Sequence, residues 1–212
     1  EALRRIAAKL SPLVLQGRAR DIFTAHYTGT CSVLANQFPM RFFNFLGATE
    51  VEPDSICNLS GHLALDYTLG ESAMGFDPRT VADAACVVVW GGNPSASGPH
   101  ADKHWLAEFG GIQVVIDPIV TPTAAKADIH LRPFPGTDSA LAFGLAHALR
   151  KRGAFDDAFI AAHVHGADAV FSLIEEWAVG RAAAVTGVPE EGIEAAADAY
   201  AAGPALLWLG QA

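Results

Sequence analysis

The chain has little of what several common protein classes need. Its 212 residues include 14 lysines and arginines against 23 aspartates and glutamates, which gives a formal net charge of −9. Because nucleic-acid phosphates are bound by basic side chains, this balance argues against a nucleic-acid partner. No apolar run approaches the ~18 residues that a membrane span needs, so we expect no membrane-spanning segment. The three cysteines form no Cys-x-x-Cys pair, and their odd number makes a disulfide framework unexpected.

Two motifs of large enzyme classes are also missing. The sequence contains no Gly-x-Ser-x-Gly nucleophile elbow, and its glycines fall short of the Gly-x-Gly-x-x-Gly pattern of ordinary dehydrogenases. No signal peptide or basic targeting run is visible, and we therefore expect a cytoplasmic location. We also expect the chain to be part of a longer protein, because it stops just after an apolar strand predicted over 205–209.

What the chain does contain is apolar sequence, 51% of all residues, in two different arrangements. Residues 1–82 combine amphipathic helical segments with one strand within 21–27, which predicts a partial α/β domain. Residues 83–212 alternate apolar strands with helices, which predicts a doubly wound, mostly parallel sheet with helices on both faces. The strands of this second domain are predicted at 86–90, 112–117, 128–131 and 205–209.

The helix boundaries follow from the apolar spacing and the positions of glycine and proline. The first helix is expected to stop near Ser11-Pro12, 51–55 is expected to be a connector, and 167–180 is expected to form one helix. The remaining helices are predicted at 30–45, 58–69, 99–109, 139–152, 156–163 and 189–202.

The turn after the strand at 86–90 is the first candidate for ligand binding. Gly91 and Gly92 let the backbone approach a ligand closely, and Asn93-Pro94 fixes the turn. In doubly wound sheets such a loop lies over the phosphates of a ligand, and an acid at the end of the next strand can bind ribose hydroxyls. Asp117 has that position, so the spacing predicts a nucleotide-bearing ligand.

Two further features belong to the same predicted crevice. The loop 133–138 follows the third strand, and His100 lies on the phosphate-side loop. Each feature also has an ordinary structural interpretation: the first loop can be a plain strand-to-helix turn, Asp117 can begin an Asp-Pro turn, and Asp138 can cap a helix. Three loops that follow neighbouring strands favour the ligand site.

Cys57 lies where a helix is predicted to begin. A helix amino terminus lowers the pKa of a thiol and favours the thiolate, which is the form that attacks a substrate or binds a metal. A lone cysteine is otherwise inert, and that alternative stays open on the position alone. Cys86, at the start of an apolar strand, is expected to serve only in packing.

In order and spacing these motifs resemble the molybdopterin oxidoreductases of the dimethyl sulfoxide reductase and formate dehydrogenase type. The resemblance rests on Trp90 to Pro94, on Val115 to Pro118 with Thr121 and Thr123, and on segments 127–131 and 135–141. It extends over the whole chain and implies two molybdopterin guanine dinucleotides around one molybdenum or tungsten ion. The cofactor-binding residues expected from it are Gly91, Gly92, Asn93, Pro94, His100, Asp117, Pro118, Thr121, Thr123, Gly136, Thr137 and Asp138.

The same resemblance implies a catalytic, metal-ligating role for Cys57. It implies oxygen-atom transfer or two-electron and proton redox chemistry in the parent enzyme, a 4Fe-4S cluster outside this chain, and an electron-transfer subunit and the missing domains of the same chain as partners. Ile119 stands where many members have an arginine. Two alternatives are a non-catalytic nucleotide-binding module or accessory subunit, and the middle domain of a thiamine-diphosphate enzyme.

Overall fold

The computed structural model describes residues 1–26, 33–51, 58–72 and 75–210. The chain divides into two compact units, Glu1–Ala73 and Met74–Gln211. The division precedes the boundary expected after residue 82, because Val81 is buried in an apolar cluster with Val87 and Val115. Residues just before the first strand of the second unit therefore belong to its core.

The first unit contains, in its described part, three helices and a small parallel sheet of two strands. Strand β1 pairs in parallel with strand β2. The sequence pattern does not predict β2, since a run of three residues is too short to be recognised. The element bounds are α1 (Ala2–Leu15), β1 (Phe23–Ala25), α2 (Val33–Leu46), β2 (Thr49–Val51) and α3 (Leu59–Leu69).

Helix α1 corrects one prediction and the ends of α2 and α3 confirm another. The expected stop at Ser11-Pro12 is wrong, because the helix continues through Pro12 to Leu15. Proline lacks an N–H, but its carbonyl still accepts the N–H of Gln16 at 3.1 Å, so the helix continues after it. Helices α2 and α3 are followed by Gly47 and Gly70 with positive φ angles, as their glycine positions indicate.

The second unit is built on a parallel four-stranded sheet with the order β5-β4-β3-β6. Two strands therefore lie on one side of β3 and one strand lies on the other, which is the arrangement of a doubly wound sheet. The predicted α/β class is confirmed. The strand bounds are β3 (Cys86–Trp90), β4 (Ile112–Ile116), β5 (Ile129–Leu131) and β6 (Ala205–Leu209).

Most helices of this unit agree with the sequence pattern, but the short helix Pro94–Ser97 lies where a loop is expected. The helix expected over 167–180 is wrong, because the chain leaves the helix at Glu176 and begins another at Val179. A π-helical turn, Asp102–Leu106, continues α5. The helix bounds are α4 (Pro94–Ser97), α5 (Pro99–Ala101), α6 (Asp138–Lys151), α7 (Asp157–His163), α8 (Ala167–Glu175), α9 (Val179–Thr186) and α10 (Glu190–Ala201), with short 3₁₀ turns at Ala19–Asp21, Pro78–Asp83 and Ala124–Lys126.

Both faces of the four-stranded sheet are covered. On one face Val88 and Val114 pack in a cluster with residues of α6, α9 and α10, and on the other Val87 and Val115 pack against Val81 and the π-helical turn. This burial on both faces explains why β3 is a continuous apolar run and why β4 is apolar except at Gln113. Among the described residues, no helix is both long and apolar enough to cross a membrane.

Candidate functional site

The ends of the four parallel strands define one edge of the sheet. Trp90 is in register with Ile116 on one side and with Leu209 on the other, and Ile116 is in register with Leu131. The residues that follow these strands therefore start at the same level. Because the strand order changes direction between β3 and β6, a crevice is expected at this edge, outside the carboxyl ends of the strands.

Glycine backbone forms the part of this edge between β3 and β6. Gly91 has a φ of 63°, and its N–H donates to the carbonyl of Ile116 at 2.8 Å. The N–H of Gly210 donates to the carbonyl of Trp90 at 2.7 Å, and a Cβ on Gly210 would overlap the carbonyl oxygen of Gly91. Gly210 is not among the expected site residues, although a glycine straight after an apolar strand is a signal that could have identified it.

Thr123 connects the first loop of the site, which follows β3, to the second loop, which follows β4. Its side chain is fully buried, and its hydroxyl donates to Oδ1 of Asn93 at 2.9 Å while it accepts the N–H of Ser95 at 3.1 Å. Pro94, between those two residues, is also fully buried. Thr121 is nearly buried and accepts the N–H of Ala124 at 3.0 Å. Both threonines hold backbone in place, and the candidate contacts with a ligand fall to the residues that they position.

An ion pair extends this network beyond the residues that the sequence suggested. Asp102 accepts the hydroxyl of Ser95 at 2.8 Å, and its second carboxylate oxygen pairs with the ammonium of Lys126 at 2.8 Å. The hydrogen bond from Lys126 lowers the pKa of Asp102, with a further contribution from Ser95. The two charges lie 24 residues apart in sequence, so no local pattern indicates that they meet.

The second loop is fixed at Asp117-Pro118. Oδ1 of Asp117 accepts the N–H of Ile119 at 2.9 Å, which is the ordinary Asp-Pro turn expected from the sequence. His130 donates from Nε2 to the carbonyl of Asp117 at 2.9 Å, and Nε of Arg132 donates to the carbonyl of Pro118 at 3.3 Å. These contacts leave Oδ2 of Asp117 as the carboxylate oxygen available to another group. They also bring the guanidinium of Arg132 to the loop that contains Ile119.

The third loop turns at Gly136, whose φ is 82°. The hydroxyl of Thr137 donates to the carbonyl of Phe134 at 2.6 Å, and α6 begins with Asp138. Thr137, and not Asp138, occupies the cap position of this helix, so the capping interpretation of Asp138 is wrong. Asp138 instead accepts the indole N–H of Trp90 at 2.8 Å. This bond joins the third loop to the end of β3, and a cleft of about 540 Å³ opens between this loop and Pro118.

Three other candidates are placed differently. His100 is exposed on α5, and its ring stacks on His104, four residues later, with the ring centroids 6.2 Å apart. Burial raises the pKa of the Cys86 thiol to about 11, which fits the packing role expected for it. Cys57 lies outside the described residues, and in the part of the chain that is described no three metal-binding side chains come together.

The similarity to known proteins covers between 65% and 99% of the chain in the matches described below. No protein-family profile matches it. The probable oxidoreductase YyaE of Bacillus subtilis (strain 168) is 32% identical over 212 residues, which cover 99% of this chain and 32% of that protein. The F420-dependent formate dehydrogenase 1 subunit alpha of Methanococcus maripaludis is 31% identical over 140 residues, which cover 65% of this chain and 21% of that subunit.

A solved structure is similar to the chain in fold. The acetylene hydratase from Pelobacter acetylenicus superposes with a TM-score of 0.65 and 23% identity, over 97% of this chain and 28% of that one. The chain therefore spans between about a fifth and a third of the length of these proteins.

Proposed function

The chain belongs to the molybdopterin oxidoreductases of the dimethyl sulfoxide reductase and formate dehydrogenase type, and we propose that its second unit binds the guanosine diphosphate portion of one molybdopterin guanine dinucleotide. Because the chain belongs to this family, it is not the middle domain of a thiamine-diphosphate enzyme. We propose that the complete protein, of which this chain is a part, is an oxidoreductase. The molybdenum or tungsten ion of the cofactor would supply oxygen-atom transfer or two-electron redox chemistry coupled to a proton, and the residues of this chain would hold and orient the cofactor.

The observation that carries the proposal is the meeting of three loops at the switch point of the sheet. Gly91 and Gly136 have open space where a Cβ would stand, so an elongated ligand can approach the backbone there. A side chain at Gly210 would overlap the carbonyl oxygen of Gly91, so this position between β3 and β6 admits only glycine. Such glycine backbone suits a diphosphate, because the ligand can approach it without meeting a side chain, while the N–H groups of Gly91 and Gly210 hold the sheet edge in place.

Two carboxylates suit the remaining parts of a guanosine. Oδ2 of Asp117, which the turn leaves available, can accept a ribose hydroxyl. Asp138 can accept the two donors on the edge of guanine, whereas adenine offers no comparable pair. In the proposed site Asn93 and Pro94 shape the diphosphate loop, Thr123 and Thr121 support it, and Gly136 and Thr137 place Asp138. The contact expected of His100 stays a prediction.

The experiment is a calorimetric titration of the protein with guanosine diphosphate and adenosine diphosphate. We expect guanosine diphosphate to bind about tenfold or more tightly, and Asp138→Ala to lose roughly 1.5–3 kcal/mol of its binding energy, as for a hydrogen bond to a charged group. Asp157→Ala is the matched control, because Asp157 also begins a helix and is exposed. Equal affinity of the unchanged protein for both nucleotides would refute the guanine site.

We propose further that Cys57 ligates the metal in the complete oxidoreductase, with a 4Fe-4S cluster and an electron-transfer subunit outside this chain. The support is its place before α3 and the family resemblance. In the full-length protein, Cys57→Ala is expected to abolish turnover and lower the metal content, whereas Cys86→Ala is expected to keep turnover. Full activity of Cys57→Ala would contradict the assignment, whereas absence of turnover in the unchanged full-length protein would favour a non-catalytic nucleotide-binding module. A cytoplasmic location stays a prediction.

A further inference from the structure

Trp90 is placed between the apolar core and the candidate site. It ends β3, and its ring is half-buried against the cluster that also contains residues of α6, α9 and α10. The indole has one hydrogen-bond donor and no acceptor, and its Nε1–H donates to Oδ1 of Asp138 at 2.8 Å. A donor on a half-buried aromatic ring usually finds a partner, so this bond satisfies Trp90.

The same bond has a consequence for Asp138. Its carboxylate is exposed at the first residue of α6, where a side chain would otherwise sample several rotamers. Trp90 occupies one of the lone pairs of Oδ1, and Oδ2 has no partner among the described residues. The second lone pair of Oδ1 and both of Oδ2 therefore stay available, in an orientation that a rigid ring on a core strand fixes.

This carboxylate lies at the amino end of α6. The helix is 14 residues long, and the free N–H groups of its first turn give that end a partial positive charge. The indole N–H adds a second interaction that an ionised oxygen accepts well. Asp138 is thus held in direction by the indole, with carboxylate lone pairs left to accept two donors.

We propose that Trp90 is a specificity-determining positioning residue, which orients the Asp138 carboxylate toward a ligand with two adjacent N–H donors, as guanine has. The inference rests on the proposed nucleotide site and deepens it. Trp90 acts through Asp138 and needs no contact with the ligand. A fixed Asp138 rotamer lowers the entropy lost on binding. Trp90 therefore raises the affinity for ligands that donate to Asp138, and it leaves the affinity for other ligands unchanged.

The test is a double-mutant cycle on nucleotide binding, with the unchanged protein, Trp90→Phe, Asp138→Ala and the double variant. Each is titrated with guanosine diphosphate and with adenosine diphosphate. Trp90→Phe keeps an aromatic ring in the core and removes the donor. We expect its preference for guanosine diphosphate to fall about fivefold to tenfold with little change for adenosine diphosphate. The double variant is expected to bind like Asp138→Ala.

Trp208→Phe is the matched control. Trp208 is also half-buried in a strand of the same sheet, but its ring contacts Phe76 and Trp105 in the other apolar cluster. Its removal is expected to lower stability and leave the nucleotide preference unchanged. A role of Trp90 in packing alone would make the two variants alike, so an unchanged preference in Trp90→Phe overturns the inference.

The outcomes separate this inference from the proposed function. If the unchanged protein binds both nucleotides equally, the guanine site and the role of Trp90 fail together. If it prefers guanosine diphosphate and Trp90→Phe keeps that preference, only the role of Trp90 fails. Should Trp90→Phe not fold, the Nε1–H resonance of Trp90 in the unchanged protein, assigned by elimination from variants of the other tryptophans, decides. It is expected to shift with guanosine diphosphate and not with adenosine diphosphate, and no shift overturns the inference.

Discussion

Thr123 joins two loops of the candidate site through one buried hydroxyl group. Valine has nearly the same shape but can neither donate to Asn93 nor accept from Ser95. Because the backbone N–H of Ser95 would lose its partner, Thr123→Val is expected to lower the free energy of unfolding by about 1–3 kcal/mol. It is also expected to weaken guanosine diphosphate binding, because the loop at Asn93 is no longer fixed. Urea denaturation and calorimetry measure the two effects.

The control for this change is Thr49→Val. Thr49 lies in the first unit, where its hydroxyl donates to the carbonyl of Arg20 at 2.7 Å. Its loss is expected to affect stability without changing nucleotide affinity. If Thr123→Val were destabilised but bound guanosine diphosphate as tightly as the unchanged protein, the loop would not depend on this hydroxyl.

The ion pair of Asp102 and Lys126 gives the stability of the second unit a pH dependence. Because the pKa of Asp102 is lower in the folded state than in the unfolded state, its charged form stabilises the fold above the unfolded pKa of about 3.9, and this contribution is lost as the pH falls through the folded pKa. Lys126→Met is expected to cost about 0.2–1 kcal/mol at neutral pH, since the ammonium is half-exposed.

Urea unfolding at several pH values measures this contribution. The difference between the unchanged protein and Lys126→Met is expected to be constant from about pH 7 to pH 5 and to narrow below about pH 4. Lys9→Met, on the exposed surface of α1, is the control and is expected to leave the stability nearly unchanged. A difference that stays constant to low pH would show that the loss comes from packing of the lysine stem.

At the scale of the elements, the sequence predicts the strands and helices whose bounds follow from local residue patterns. It does not predict the bounds that depend on tertiary contacts. The strands at Cys86–Trp90 and Ala205–Leu209 match their predicted bounds, because each is a continuous apolar run that the sequence shows directly. The break between α8 and α9 has no proline or glycine before Gly180. It coincides with tertiary contacts: His147 donates to the carbonyl of Ile174, and Trp177 stacks on Phe143.

The same distinction applies to the candidate site. The positions of Gly91, Asp117 and Asp138 follow from strand ends that are visible in the sequence. Their partners do not, since the bond between Trp90 and Asp138 spans 48 residues and depends on how α6 packs on the sheet. Tertiary packing therefore decides which carboxylate oxygen is free, and no spacing along the chain contains that information.

Gly210 is where two elements of the sheet edge come closest. Alanine at this position would drive a methyl group into the carbonyl of Gly91, and a backbone atom cannot move aside as a flexible side chain does. We expect Gly210→Ala to lower the free energy of unfolding by about 1–3 kcal/mol and to weaken nucleotide binding by displacing the first loop. Thermal unfolding and calorimetry measure both.

Gly110→Ala is the control for this variant. Gly110 has no positive φ, and no atom lies within 4 Å of the position that the alanine methyl group would take, so alanine is expected to be tolerated. Nucleotide affinity of Gly210→Ala equal to that of Gly110→Ala would show that the first loop does not take part in binding.

At the scale of the whole molecule, the two units differ in how much apolar surface they bury. The second unit holds both apolar clusters, and the two central strands of its sheet, β3 and β4, are covered on each face. In the described part of the first unit only Ile22, Thr24 and Met40 are buried, while large apolar side chains such as Leu15 and Phe45 are 86% and 88% exposed. Since burial of apolar surface is the main stabilising contribution, the units should differ in stability when separated.

A polypeptide of residues 75–210 is therefore expected to fold alone and to bind guanosine diphosphate as the whole chain does. Its two clusters are complete within these limits, from Phe76 and Val81 to Trp208. Residues 1–72 alone are expected to give no cooperative unfolding transition and to bind a hydrophobic dye, because so little of that unit is buried. Urea unfolding of both polypeptides, with calorimetry of the longer one, makes the comparison. A folded 75–210 polypeptide that binds the nucleotide much more weakly than the whole chain would mean that residues of the first unit take part in the site, and the assignment of guanosine binding to the second unit would be wrong.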